Sequence, residues 1–142
     1  MASVVYNSAK VKLGNGSIDW DTDTIKMALV TESYTPDIDA HDFWDDVSAN
    51  EVSASGSYST GGVTLTTSVT QDNTNNRGVY DANDVSITSF TGTFRYGVVY
   101  KSTGTAATSP LICVVDFTGS NIVVLNGTFS CTINAAGVFN IS

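Results

Sequence analysis

Apolar residues recur at a spacing of two over short runs, and clusters of Gly, Asn, Asp and Ser separate the runs. That pattern predicts strands joined by turns. Ile25-Lys26-Met27-Ala28-Leu29-Val30 is the first strand, and residues 63–66, 78–81 and 85–88 follow, with residues 71–76 as a turn. Over residues 94–100 the large side chains Phe94, Tyr96, Val98 and Tyr100 fall on one face, because successive side chains of a strand alternate. Residues 101–110 read as a hairpin loop. Residues 111–117 are apolar at both alternating sets until Asp116, which predicts a central strand covered on both sides. Asn126-Gly127, two residues that tolerate positive φ, predicts a tight hairpin between residues 122–125 and 128–133. Residues 138–141 close the series.

The amino-terminal third is less regular. Residues 6–13 read equally as a short helix or an extended arm, since Val4, Val5 and Val11 are β-branched, and Gly14-Asn15-Gly16 then forces a turn. Residues 31–50 are polar and loop-like, with a helical turn at residues 42–47. Residues 53–62 are rich in Ser and Gly and are expected to be mobile. No repeat and no domain boundary is visible. The expected architecture is all-β: one antiparallel β-sandwich domain over residues 1–142, jelly-roll-like or a meander, with one short helix and long loops, and a barrel as the alternative. Residues 1–13 are the candidate arm.

Composition sharpens this picture. A chain of 142 residues suits one domain, able to bury roughly 68–70% of its unfolded surface. Charged residues make up only 14%, and polarity comes instead from 17 Ser, 19 Thr and 11 Asn. The 17 Val and 8 Ile against 5 Leu favour a pleated surface. No apolar run approaches the roughly 18 residues of a membrane span. The first ten residues show no secretion-signal pattern. Cys113 and Cys131 fall in predicted strands and are expected as reduced, buried thiols, with a cross-strand disulfide as the alternative.

The net charge is −8, and residues 1–51 carry −7 of it. Six scattered cations do not make the dense basic footprint that phosphate recognition needs, so neither nucleic acid nor an anionic membrane is an expected partner. The acidic third reads as a solvated face.

Candidate chemistry is sparse. His41 is the single histidine, and any nucleophile–base arrangement has to use it. No Gly-x-Ser-x-Gly elbow accompanies it, and Asp39, Asp42, Asp45 and Asp46 beside it mark a surface histidine. Residues 19–23 open like a calcium loop, with Asp at the first, third and fifth positions. Thr24 replaces the required glycine and Val30 the bidentate glutamate, so an Asx-rich strand entry is expected there. A calcium site at residues 19–23 or among Asp37, Asp39 and Asp42 stays open. Zinc spacing and phosphate loops are absent from the sequence. The chain is therefore read as non-enzymatic, with no catalytic residue, metal or cofactor assigned. Phe43 and Trp44, in their acidic surroundings, are either a plug over one end of the sandwich or an anchor for a partner. Trp20 suits either task, and Tyr96 and Tyr100 are expected in the core.

Several stretches together resemble small structural proteins of tailed bacteriophages. They are Gly16-Ser17-Ile18-Asp19 with residues 21–30, Tyr34-Thr35-Pro36, residues 41–47 with Asn50-Glu51-Val52, Gly61-Gly62-Val63-Thr64-Leu65, and residues 104–112. They cover most of the chain in order. The resemblance implies a virion protein of the head decoration (cement) type, made in the bacterial host cytoplasm and placed on the capsid exterior. Its implied partners are the major capsid protein at capsomer junctions and further copies of itself, as a homo-oligomer with a trimer favoured. It carries no catalytic residues across. The candidate interface residues are Lys10, Lys12, Trp20, His41, Phe43 and Trp44, drawn from the amino-terminal arm, the acidic loop and the aromatics. The alternative is a tail or fibre component that binds host-surface glycans on aromatic platforms such as Trp20, Trp44 and Tyr58.

Overall fold

The computed structural model describes residues 2–142 and leaves Met1, the first residue of the expected arm, outside the described residues. Its architecture is all-β and antiparallel, in sandwich-like layers, as expected. The central sheet has the order β1-β8-β7-β2-β3, formed by β1 (Ala2–Val5), β8 (Leu111–Asp116), β7 (Tyr96–Lys101), β2 (Ile25–Val30) and β3 (Val63–Thr64). The sheet β10-β5-β4 is formed by β10 (Phe139–Ile141), β5 (Arg77–Ala82) and β4 (Thr67–Asp72). A separate ribbon pairs β6 (Val85–Phe94) with β9 (Ile122–Cys131). The one α-helix among the described residues, α1 (Asn7–Gly14), follows β1 directly. No helix among the described residues is long and apolar enough to cross a membrane.

β7 explains the layering. Tyr96 and Tyr100 face the acidic loop, where Tyr34 meets Tyr96 edge-on and Trp44 stacks on Tyr100. Gly97 points to the opposite side, where a Cβ would collide with the Phe117 ring and touch the Met27 sulfur. On that side Phe94, Phe117 and Phe129 pack with ring centroids 4.7–5.9 Å apart and tie the ribbon to the sheet. Trp20, Tyr80 and Phe139 form a second aromatic cluster under the three-stranded sheet. β8 is buried from Leu111 to Val115 between β1 and β7, the central position its apolar run predicts. Cys113 and Cys131 are both buried thiols.

Four expectations need correction. The amino terminus is not an arm: residues 2–5 pair with β8 in register Ala2↔Asp116 to Val5↔Cys113, and Tyr6 and Ala9 are fully buried. Phe94 does not share a strand with Tyr96. Arg95 turns the corner between ribbon and sheet, its N–H bonded to the Val30 carbonyl and its guanidinium paired with Asp116 at 2.8 Å. Asn126-Gly127 is not a hairpin turn: β9 continues through it as one strand, and the positive φ of Asn126 (44°) serves a bulge, with a second one on β6 at Ser89 (52°). Positive φ falls at Asn126 and not at Gly127, and an isolated positive φ inside a long strand makes a bulge as readily as a turn.

Residues 53–62, expected to be mobile, are clamped. The Tyr58 hydroxyl donates to Glu51 Oε1 at 2.8 Å and accepts the Leu29 N–H at 2.9 Å, while Glu51 Oε1 also accepts the Gly61 N–H. The Tyr100 hydroxyl donates to the Gly61 carbonyl. Ser55 and Ser57 side chains accept the Thr91 and Thr88 N–H groups, so this loop seals one edge of β6.

Candidate functional site

Four of the six candidate interface residues come together where α1 docks on the acidic loop. The Asn7 N–H bonds the Ile38 carbonyl, and the Asn7 amide donates to the Asp39 carboxylate. Lys12 lies over the Phe43 ring, with Nζ 4.3 Å from its centroid. Lys10 is exposed and bonds Asn7 Oδ1. His41 sits half-buried at the same junction. The other two candidates lie inside: Trp44 is 6% exposed against Tyr100, and Trp20 is 2% exposed, with its indole N–H on the Asp81 carbonyl. Tyr58 is 1% exposed. None of these three rings presents a face on which a sugar could stack.

His41 meets two neighbours through one ring nitrogen. Its Nδ1 accepts the Asp37 N–H at 3.3 Å, which makes that nitrogen an acceptor. The Tyr34 hydroxyl, 3.0 Å from the same nitrogen, therefore donates to it. Tyr34 then has only lone pairs left for Tyr6, whose hydroxyl donates across 2.7 Å. Burial, and next the bond to Tyr34, push the Tyr6 phenol well above its ordinary range. The chain Tyr6–Tyr34–His41 thus joins α1 to the acidic loop. No serine or cysteine takes part in it.

The acidic side chains fold the loops around them. Asp19 accepts the Asp21 and Thr22 N–H groups, and Asp23 accepts the Asp19 N–H and pairs with Lys101 at 2.9 Å. This is the Asx-rich strand entry read from the sequence. Asp37 accepts from Asp39 and Ala40. Asp46 accepts from Asp42 and Phe43, and these two bonds, the Phe43 one first, hold its carboxyl below the usual range. Among the described residues no three His, Cys, Asp or Glu side chains are grouped to hold a metal ion.

Apart from Val11 on α1, 66% exposed, large exposed apolar side chains lie away from this junction, at positions the sequence reading did not single out. Val123 is 63% and Leu125 77% exposed, both on the outward face of β9. Beside them on the ribbon lie exposed Ser86, Thr88, Thr93, Thr128 and Ser130. Neither β6 nor β9 contains a charged residue, and none occurs anywhere in residues 117–142. That charge-free stretch was the available signal, hidden by reading Asn126-Gly127 as a turn. A second apolar feature is a groove of about 530 Å³ between α1 and the β10-β5 edge, lined by Val5, Leu13, Tyr80, Phe139 and Ile141.

No protein-family model matches the chain, and no curated protein or solved structure matches it either.

Proposed function

We propose that this chain is a non-enzymatic virion protein, a head decoration (cement) protein that binds the outer shell of a bacteriophage capsid and stabilises it. The reading is supported by the sequence resemblance. The observation that carries it is the placement of surface types on a layered β scaffold. The ribbon offers an uncharged, partly apolar face with Val123 and Leu125, and the α1–acidic loop junction offers Lys10, Lys12 and half-buried Phe43. The polar side chains at that junction bond to one another and to backbone. Such an arrangement suits contact between proteins.

The mechanism is linkage. A protein that binds the assembled shell but not its free subunits stabilises the shell by mass action. An oligomer that touches several capsomers at once gains further through effective concentration. In this reading the α1–acidic loop face meets the major capsid protein, and the ribbon faces another copy. The test is the copy number per purified virion, measured by quantitative mass spectrometry against the major capsid protein. The expected result is a simple lattice fraction near one. A handful per particle would move the protein to the tail, and absence from virions would overturn the structural reading.

A further inference from the structure

We infer that β9 is the strand through which two copies of this chain pair, its outer edge meeting the same edge of the second copy antiparallel about a two-fold axis. β9 has β6 on one side and, among the described residues, no strand on the other. The far edge of β6 is already sealed by the Ser55 and Ser57 bonds, so β9 is the ribbon's open edge. A bare edge is ordinarily guarded by lysine, proline or a very short length. β9 has ten residues and none of these guards, and its bulge, which can also turn an edge away, lies at Asn126, past residues 122–125. Its first half, Ile122-Val123-Val124-Leu125, is instead the kind of uncharged aliphatic segment that associates with itself. The comparison with β4 is instructive, because that edge carries Gln71 and the Asp72–Arg77 ion pair.

Charge selects the occupant. At net −8, two copies repel wherever their acidic surfaces approach, and a basic partner is drawn to those same acidic surfaces. The β9 edge, inside the uncharged residues 117–142, is where two like-charged copies meet without opposing carboxylates. An antiparallel strand is also self-complementary, since each copy supplies the carbonyls that the other's N–H groups need. The bulge at Asn126 bends the strand, which places the two-fold axis within residues 122–125.

The experiment uses the whole chain. Light scattering across a concentration series, with circular dichroism to verify folding, compares the native protein with the Val123→Lys, Leu125→Lys double variant. Both positions are exposed, and lysines bring the net charge nearer to zero, so general repulsion cannot account for a loss of association. The expected result is a native dimer whose dissociation constant rises at least about tenfold in the variant, because like charges face each other across the axis. Val123→Cys is expected to give a covalent dimer under mild oxidation, and Val69→Cys on β4 is not. A native monomer, a trimer, or an oligomer indifferent to both lysines would overturn the pairing. The inference goes beyond the decoration reading and fails separately from it: virion copy number does not depend on the dimer, nor the dimer on the virion.

Discussion

The Trp44 indole lies flat on the Tyr100 ring, with centroids 4.5 Å apart and planes 2° from parallel. Trp44 is therefore a plug that covers β7, and its neighbour Phe43, half-buried beneath Lys12, is the ring left near the surface. Trp44→Ala is expected to destabilise the fold by about 3–5 kcal/mol, the range for a buried large aromatic. Phe43→Ala is expected to cost about 1 kcal/mol. Urea titrations of the two variants check this, and equal losses would refute the division of roles.

The amino-terminal segment belongs to the fold. β1 completes the central sheet beside β8, and Tyr6 and Ala9 are fully buried. Deleting residues 1–13 uncovers one side of β8 and removes the Tyr6–Tyr34 bond. The truncated protein is expected to lose cooperative unfolding and its near-ultraviolet dichroism. A native-like spectrum with an unchanged midpoint would restore the arm.

These outcomes show what was readable in the residues. Strand type at residues 25–30 and 111–116, the central place of β8 and the burial of Tyr96 and Tyr100 followed from local alternation and apolar runs, and the turn expected at residues 42–47 holds the short helical turn Trp44–Asp46. The failures share a cause. Asn126-Gly127, Arg95 and residues 53–62 have local chemistry that suits several structures, and distant partners decide among them. Thr88 and Thr91 hold the serine loop, Val30 and Asp116 hold Arg95, and pairing with β6 keeps β9 one continuous strand. The exposed Val123 and Leu125 were hidden by the same error, because a hairpin at Asn126 splits the strand that displays them.

Gly62 and Gly104 separate conformation from space. Both have positive φ, 95° and 88°. At Gly62 a Cβ would lie 2.2 Å from the Met27 carbonyl oxygen, in the backbone of β2, whereas at Gly104 nothing lies within 4 Å. Gly104→Ala is expected to cost about 1–2 kcal/mol from left-handed strain alone. Gly62→Ala is expected to cost more, since β2 would have to move. Thermal melts of both variants test the order, and the reverse order would show that the serine loop yields easily.

Burial pushes the Cys113 thiol up to about 12. Pinned between Val5 of β1 and Val99 of β7, it is out of reach of solvent as well. In a Cys131→Ser background, Cys113 is expected to resist a thiol reagent at pH 8 and to react only as fast as the fold opens. Labelling rates across urea concentrations check this. Rapid labelling of the folded protein would mean that β1 detaches from β8 on its own.

The carboxyls of Asp46 and Asp116 are both held below their ordinary range, Asp46 chiefly by the Phe43 and Asp42 N–H groups and Asp116 chiefly by Arg95. A group whose folded value is depressed contributes stability that is fully present above the unfolded value, about 4 for Asp. That contribution is lost as the pH falls through the lower folded value. The urea midpoint is therefore expected to hold steady down to about pH 5 and to decline from there toward pH 2. Asp46→Asn retains a carbonyl oxygen that can accept the same two N–H groups but no longer titrates, so its acid limb is expected to be shallower. An identical limb in the variant would assign the acid sensitivity to other carboxylates and leave Asp46 as a neutral cap on the turn that carries Trp44.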